Sequence, residues 1–324
     1  MKVAVISFAH MHAYSYAEHL TASPDAELSA VWDEDETRGM EAASRYGVPY
    51  YRELDELLRT DAAAVIVCSE NARHKEHVIA AAAAGKHVLC EKPIAVDPDD
   101  AEAMIRACRD NGVILQIAFP VRYSPVIRQA RELIRSGQLG SIIGVNATNH
   151  GKMPGGWFID PQLSGGGAAV DHIVHVMDIL FWVLEKKVTR VHAELDTRLH
   201  DIEVEDCGIV LLEMESGIIA AIDPSWSRPA SYPIWGDLVI SFTGTKGTLH
   251  LDLHKQASVF YNDVKDKTEW MLWTDDLDEG LVGDFLAIVR EGRPASISGE
   301  DGLATLRVVR SALASHLSGR AIEL

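Results

Sequence analysis

A chain of 324 residues, 47% hydrophobic and 24% charged, has the length for about two domains and enough apolar content for substantial cores. Its formal net charge of −18 excludes a nucleic-acid surface or an anionic membrane as an expected partner. Four cysteines, Cys68, Cys90, Cys108 and Cys207, form no CxxC pair, so reduced thiols in a cytoplasmic protein are expected rather than disulfides or a zinc knuckle.

The opening "MKVAVISF" is too short for the apolar region of a leader and runs straight into a strand pattern. No segment reads as long and uncharged enough to span a bilayer. Over residues 1–120, strand and helix alternate at a βαβ rhythm. "KVAVISF", "ELSAVWD", "AAVIVCS", "HVLCEK" and "GVILQIAF" are short apolar runs without strict alternation, the pattern of parallel strands covered on both faces. Between them, helices are expected in "ETRGMEAASRYG" and "ARHKEHVIAAAAAG", closing on Gly47 and Gly85. Another is expected in "DPDDAEAMIRACRDNG", with Asp97 as N-cap and Pro98 in the first turn. Right-handed crossovers then give an α/β fold with a Rossmann-like, doubly wound parallel sheet.

Residues 121–324 are expected to form a second domain, of α+β class, built on one open and mostly antiparallel sheet. A helix in "SPVIRQARELIRSG" is followed by a strand in "SIIGVNATNHG", a Gly- and Pro-rich loop, and a buried helix in "AAVDHIVHVMDILFWVL". Strands follow in "RVHAELDT", "CGIVLLEME", "GIIAAIDPSW", "DLVISFTG" and "GTLHLDLH", with a hairpin at Ser216–Gly217. Helices near 279–291 and 301–317 end the chain.

The stretch "VAVISFAHMHAYSYAEHL", Val3–Leu20, stands where a dinucleotide-binding chain carries its glycines, yet it has none. Ser7, Ala9 and His12 occupy the three positions that serve the tight bend, the approach to the pyrophosphate and the helix–strand contact. Asp33, ending the second strand, stands where a carboxylate accepts the ribose hydroxyls. Asp35 nearby and no arginine immediately after Asp33 favour NAD over NADP. A βαβ unit that binds nothing fits this stretch equally well.

A second signal is "AGKHVLCEKP", which puts Glu91, Lys92 and Pro93 at the carboxyl end of a strand, where open α/β sheets bind ligands. The proline restricts the backbone of Lys92. An ammonium there lowers the pKa of a bound alcohol or, once deprotonated, serves as base. A solvated strand-end lysine is the plainer reading. Together with "SGGGAAVDHIVHVMD", this motif resembles the Gfo/Idh/MocA family, and the resemblance runs over essentially the whole chain. It includes "SENARHKEHVIAAAAAGKHV", "VRYSPVIRQARELIRSGQLGSI", "SGIIAAIDPSW" and "GTKGTLHLD". The glycine-free turn departs from the family pattern.

The resemblance implies an N-terminal domain holding NAD(P) and a C-terminal sheet whose open face makes a homodimer or homotetramer. It implies a cofactor site formed by Phe8, Ala9, His10, Met11, His12, Asp33, Ser69, Asn71, Glu91, Lys92 and Arg122. It assigns Lys92, Asp171 and His175 to catalysis. Asp171 and His175 are spaced i, i+4 and so share one helix face, and an imidazole suits acid–base work near neutral pH. Tyr123, Trp157 and His172 are expected at the substrate. Trp157 with Phe158 could equally be packing, Arg122 with Tyr123 a domain anchor, and His172 a brace. His10, His12, His150, His172 and His175 lack metal-ligand spacing, so no metal is expected.

The activity expected is hydride transfer between a nicotinamide and a secondary alcohol or ketone of a sugar, polyol or cyclitol. A redox-neutral NAD-dependent glycosidase or lyase, and a nucleotide-binding protein without turnover, are the alternatives.

Overall fold

The structure is a computed structural model and describes residues 1–232, 235–253, 257–272 and 276–324. It divides into two compact units, Met1–Pro120 with Asp276–Leu306, and Val121–Asp275 with Arg307–Leu324.

The first unit runs β1 (Lys2–Ile6), α1 (His12–Ala22), β2 (Glu27–Trp32), α2 (Glu36–Tyr46), β3 (Tyr50–Tyr51), α3 (Leu54–Leu58), β4 (Ala64–Val67), α4 (His74–Ala83), β5 (His87–Cys90), α5 (Pro98–Asp110) and β6 (Leu115–Ile117). Its six strands pair in the order β3-β2-β1-β4-β5-β6, all parallel. This is the doubly wound dinucleotide-binding order, and its crevice opens where β1 and β4 diverge. Val3, Ala4, Val5 and Ile6 are fully buried, which explains why the run carries no polar alternation. Full burial of each large apolar side chain contributes about 1.5–3 kcal/mol. The expected helix signals hold: Gly47 and Gly85 take left-handed φ of 68° and 72°, and Asp97 accepts from the Asp99 N–H ahead of α5.

The second unit contains α6 (Pro125–Arg135), β7 (Ile142–Gly151), α7 (Pro161–Ser164), α8 (Ala168–Leu184), β8 (Val188–Asp196), β9 (Cys207–Met214), β10 (Ile218–Ser225), β11 (Gly236–Gly244), β12 (Gly247–Asp252), β13 (Ala257–Asn262) and β14 (Lys267–Leu272). After them come α9 (Leu277–Glu291) in the first unit, α10 (Gly299–Ser318) and β15 (Ile322–Glu323). The sheet order is β14-β13-β12-β11-β7-β10-β9-β8-β15; the β7–β10 pair is parallel and the other neighbours are antiparallel. The hairpin joining β9 to β10 turns at Ser216 and Gly217, with φ of 66° and 75°. Val210, Leu212, Ile218, Ala220 and Ile222 are buried, while Ile209, Leu211 and Ile219 stand exposed on the opposite face. That alternation is the period-2 signature of a sheet covered on one side.

Two expectations change. The sequence placed all of 121–324 in one domain, but Asp276–Leu306 belongs to the first unit. There Ser15 Oγ donates to Asp278 Oδ2 at 2.7 Å, His19 Nε2 lies 3.4 Å from Asp276, and the Ile117 N–H donates to the Ile297 carbonyl. Those partners are distant in the chain and leave no local mark. The second change is that Pro161–Leu184 does have the length and mean hydropathy, 1.5, of a membrane span. Its apolar window is 78% buried inside the protein, as befits a core helix.

Candidate functional site

In the first unit, the turn after β1 is made without glycine. Ser7 adopts φ 69°, the left-handed conformation that the fingerprint's first glycine supplies, and its N–H donates to the Trp32 carbonyl at 2.7 Å. The chain then crosses to β4, where the His10 N–H donates to the Cys68 carbonyl at 2.9 Å. The backbone path of a dinucleotide turn is therefore kept, and the residues present fit a nicotinamide dinucleotide.

His12, in the third glycine position, is directed onto the end of β5. Its Nδ1 lies 3.0 Å from Glu91 Oε1, and Tyr16 donates its hydroxyl to the same oxygen at 2.6 Å. Glu91 Oε2 accepts the Lys92 N–H at 3.0 Å and lies 3.9 Å from His10 Nε2. Burial raises the Glu91 carboxyl, but the His10 and His12 imidazoles and the neighbouring Lys92 outweigh it and hold the group well below its ordinary range. Burial likewise pushes His12 down, yet Glu91, by charge and hydrogen bond, leaves it raised. Glu91 thus ties the turn to the segment carrying Lys92, which is itself buried. His74 braces that segment from α4: its Nδ1 bonds the Pro93 carbonyl and its Nε2 the Ser69 carbonyl, both at 3.0 Å. Burial lowers His74, in keeping with a neutral structural ring. Ser69 Oγ pairs with His77 Nδ1 at 2.9 Å, and Asn71 is buried at the start of the following turn.

Asp33 departs from its expected role. Its carboxylate accepts the Phe8 N–H at 2.7 Å, the Asp35 N–H at 2.9 Å, and the Arg38 fork at 2.6 and 2.8 Å. Both oxygens serve the turn and α2 rather than standing open as acceptors. Arg38, one turn into α2, lay beyond the reach of a search immediately after Asp33. Glu34 and Glu70 flank its guanidinium at 3.8 and 4.0 Å, and burial raises Glu34 to about 7.

In the second unit, α8 carries Asp171 and His175 one turn apart. The "SGGG" before it has a steric cause: a Cβ on Gly167 would lie 2.0 Å from the Glu205 carbonyl oxygen, and one on Gly166 2.5 Å from the Val170 side chain. Glu205 caps the helix, its carboxylate accepting the Gly167 and Ala169 N–H groups at 2.8 and 3.2 Å and its carbonyl the Ala168 N–H at 2.8 Å. Asp171 Oδ2 accepts the Trp226 indole N–H at 3.2 Å.

His172 departs from the expected substrate contact. It is buried, with Nδ1 on the Asn149 carbonyl and Nε2 3.1 Å from Asp171 Oδ2. Arg122 departs from the cofactor role, because its buried guanidinium forks onto Asp178 of α8 at 2.6–3.0 Å. Tyr123 is nearly buried, with the Arg128 guanidinium 5.4 Å over its ring. Trp157 stacks on Phe158 at 3.9 Å, and Phe158 packs against Ala168, Val204 and Trp226. Phe8 is buried against Tyr14 and Tyr46, whereas Ala9 is partly exposed and Met11 exposed.

The five histidines do not form one cluster. His150 pairs with Asp223 at 3.2 Å and Asp237 at 3.5 Å. Among the described residues, His10, His12 and Glu91 are the group whose ligating atoms converge, within 4.8 Å, so this triad has the donor set for a divalent cation. Tyr16, His74, Arg38, Glu205 and Trp226 are the contributors that sequence reasoning missed.

Comparison with known proteins agrees with this geometry. Residues 1–119 match a family described as "Oxidoreductase family, NAD-binding Rossmann fold", and residues 127–250 match the GFO/IDH/MocA C-terminal domain. The chain is 29% identical to the myo-inositol 2-dehydrogenase of Thermotoga maritima, over 100% of this chain and 98% of that one. It is 27% identical to the inositol 2-dehydrogenase of Rhizobium meliloti, over 95% of each. Among solved structures, GenD2 from gentamicin A biosynthesis, in complex with NAD, superposes with a TM-score of 0.88 at 28% identity, covering 100% of this chain and 96% of that one. On these grounds the chain belongs to the Gfo/Idh/MocA family of oxidoreductases.

Proposed function

We propose that the protein is an NAD-dependent dehydrogenase acting on a secondary alcohol of a sugar, polyol or cyclitol, with Lys92, Asp171 and His175 as its reaction residues. The observation that carries this reading is the Glu91 cradle. One buried carboxylate joins the dinucleotide turn, through His12 and Tyr16, to the backbone of Lys92. A cofactor-binding turn and a buried ammonium are thereby held in one rigid piece. When bound, the cofactor accepts or returns the hydride. The chain's part is to orient the carbinol, with Lys92 favouring its alkoxide character and His175 holding or releasing its proton.

NAD is preferred in this reading because Arg38 is already held by Asp33 and flanked by Glu34 and Glu70, so a 2′-phosphate would meet carboxylates. The dehydrogenases of inositol named above support a polyol substrate. The exposed Ile209, Leu211 and Ile219, on the outer face of β9 and β10, support a homodimer or homotetramer through that face. We place the protein in the cytoplasm, where its four free cysteines stay reduced.

Lys92→Met should abolish turnover on the polyol that the wild type oxidises, while NAD binding by titration stays within about threefold. Turnover retained in that variant overturns the assignment.

A further inference from the structure

The His172 ring poses a proton-counting problem that lies wholly within the second unit. Its Nδ1 faces the Asn149 carbonyl, which can only accept, so Nδ1 carries a hydrogen. Its Nε2 faces Asp171 Oδ2 at 3.1 Å, and a neutral imidazole would there set a lone pair against a carboxylate. Turning the ring over offers no escape, since it would put ring carbons against both oxygens. The site is built for this placement. A Cβ on Gly151 of β7 would lie 2.9 Å from His172 Cε1 and 3.0 Å from Nε2, so the strand must carry glycine for the ring to fit. The same Asp171 oxygen also accepts the Trp226 indole N–H.

We infer that His172 is a positioning residue, held as an imidazolium between the Asn149 carbonyl and Asp171, where it fixes that carboxylate and cancels its charge one helical turn before His175. The charged groups on the strands packed nearby satisfy one another. His150 pairs with Asp223 and Asp237, and Arg228 binds Asp237. On α8 itself the titratable neighbours are Asp171 and His175, and the Glu205 carboxylate is engaged with the first-turn N–H groups. Within this unit, therefore, His172 is the cation assigned to Asp171. The functional consequence rests on the proposed role of His175. With His172 in place, that histidine sees a neutral ion pair rather than a bare carboxylate.

Two experiments test the inference. Neutron diffraction from wild-type crystals in D2O at pD 8 should show deuterium on both ring nitrogens of His172. A single deuterium overturns the imidazolium whatever the enzyme's substrate proves to be. In the second, His172→Asn leaves Asp171 charged, and the acid limb of kcat/KM for alcohol oxidation should move to higher pH by about one unit. His172→Gln serves as the companion should the shorter amide fail to fold. An unmoved limb in a folded variant refutes the link to His175. If the neutron result holds but neither variant shifts the profile, the ion pair stands as an anchor of α8 only, and the positioning role is lost.

Discussion

His12 and Glu91 are bound to each other across the first turn of the nucleotide fold, Nδ1 to Oε1 at 3.0 Å, in the position where a glycine would leave nothing to bind. The substitution exchanges backbone freedom for a charge pair, and this pair makes the first unit's stability depend on pH. His12 is raised above its ordinary 6.5, so its contribution is complete below 6.5 and fades as pH climbs through the raised value. Glu91 is lowered below its ordinary 4.5, so its contribution is complete above 4.5 and is lost only as pH falls through the lowered value. His12→Gln should therefore lower the thermal midpoint most between those two ordinary values, by about 1–2 kcal/mol after allowance for the ring's partial exposure, and progressively less above pH 7. Melting curves of both proteins from pH 4 to 9 read this directly.

Cofactor choice should also respond to pH. Burial raises Glu34 to about 7, so acidification through that value removes one of the carboxylates beside Arg38. The ratio of NADP to NAD kcat/KM is expected to rise as pH drops from 8 to 6. In the double variant Glu34→Gln, Glu70→Gln it should rise by about tenfold at pH 8 and lose its pH dependence. A ratio that ignores both changes would place the ribose-discriminating charges elsewhere.

The cap on α8 predicts a graded series. Glu205→Ala removes the acceptor of two first-turn N–H groups and should cost about 1–2 kcal/mol in chemical denaturation, while Glu205→Gln, which keeps an oxygen there, should cost about half. Gly167→Ala drives a methyl to 2.0 Å from the Glu205 carbonyl and should be the most damaging of the three. Equal losses for all three would mean that the loop, not the cap, sets the helix start.

How much of this was legible depended on how local each signal is. Asp97–Pro98 and the left-handed Gly47 and Gly85 mark helix ends through contacts with their own neighbours, and each helix falls where expected. The turn at Ser216–Gly217 was equally local. Arg38 was missed because its meaning lies in the buried Asp33, which it reaches only after α2 has made a turn. Glu205 and Trp226 meet α8 from residues 30 to 60 positions further along, and no spacing rule connects them. The strands β13 and β14 were not foreseen, nor was the parallel seam between β7 and β10, which joins segments about 75 residues apart. His172 was visible as an oddity, but its partner is a backbone carbonyl, to which sequence is blind.

The outer sheet face carries the last prediction. Ile219 is 61% exposed, Ile209 47% and Leu211 45%, and the register of β9 with β10 sets Ile219 opposite Glu213 and Leu211 opposite Ala221. Inward-facing neighbours such as Val210 and Ile222 are fully buried, so the apolar outer residues do not arise from an error of alternation. An oligomer would remove them from water, and each buried side chain would add about 1.5–3 kcal/mol. Ile219→Glu with Leu211→Glu puts two carboxylates on the patch, and by symmetry doubles them across a two-fold interface. Light scattering on the eluting protein should show the wild type as a multiple of the chain mass and the double variant as a single chain, with circular dichroism unchanged. A wild type that elutes as one chain at micromolar concentration rejects the interface.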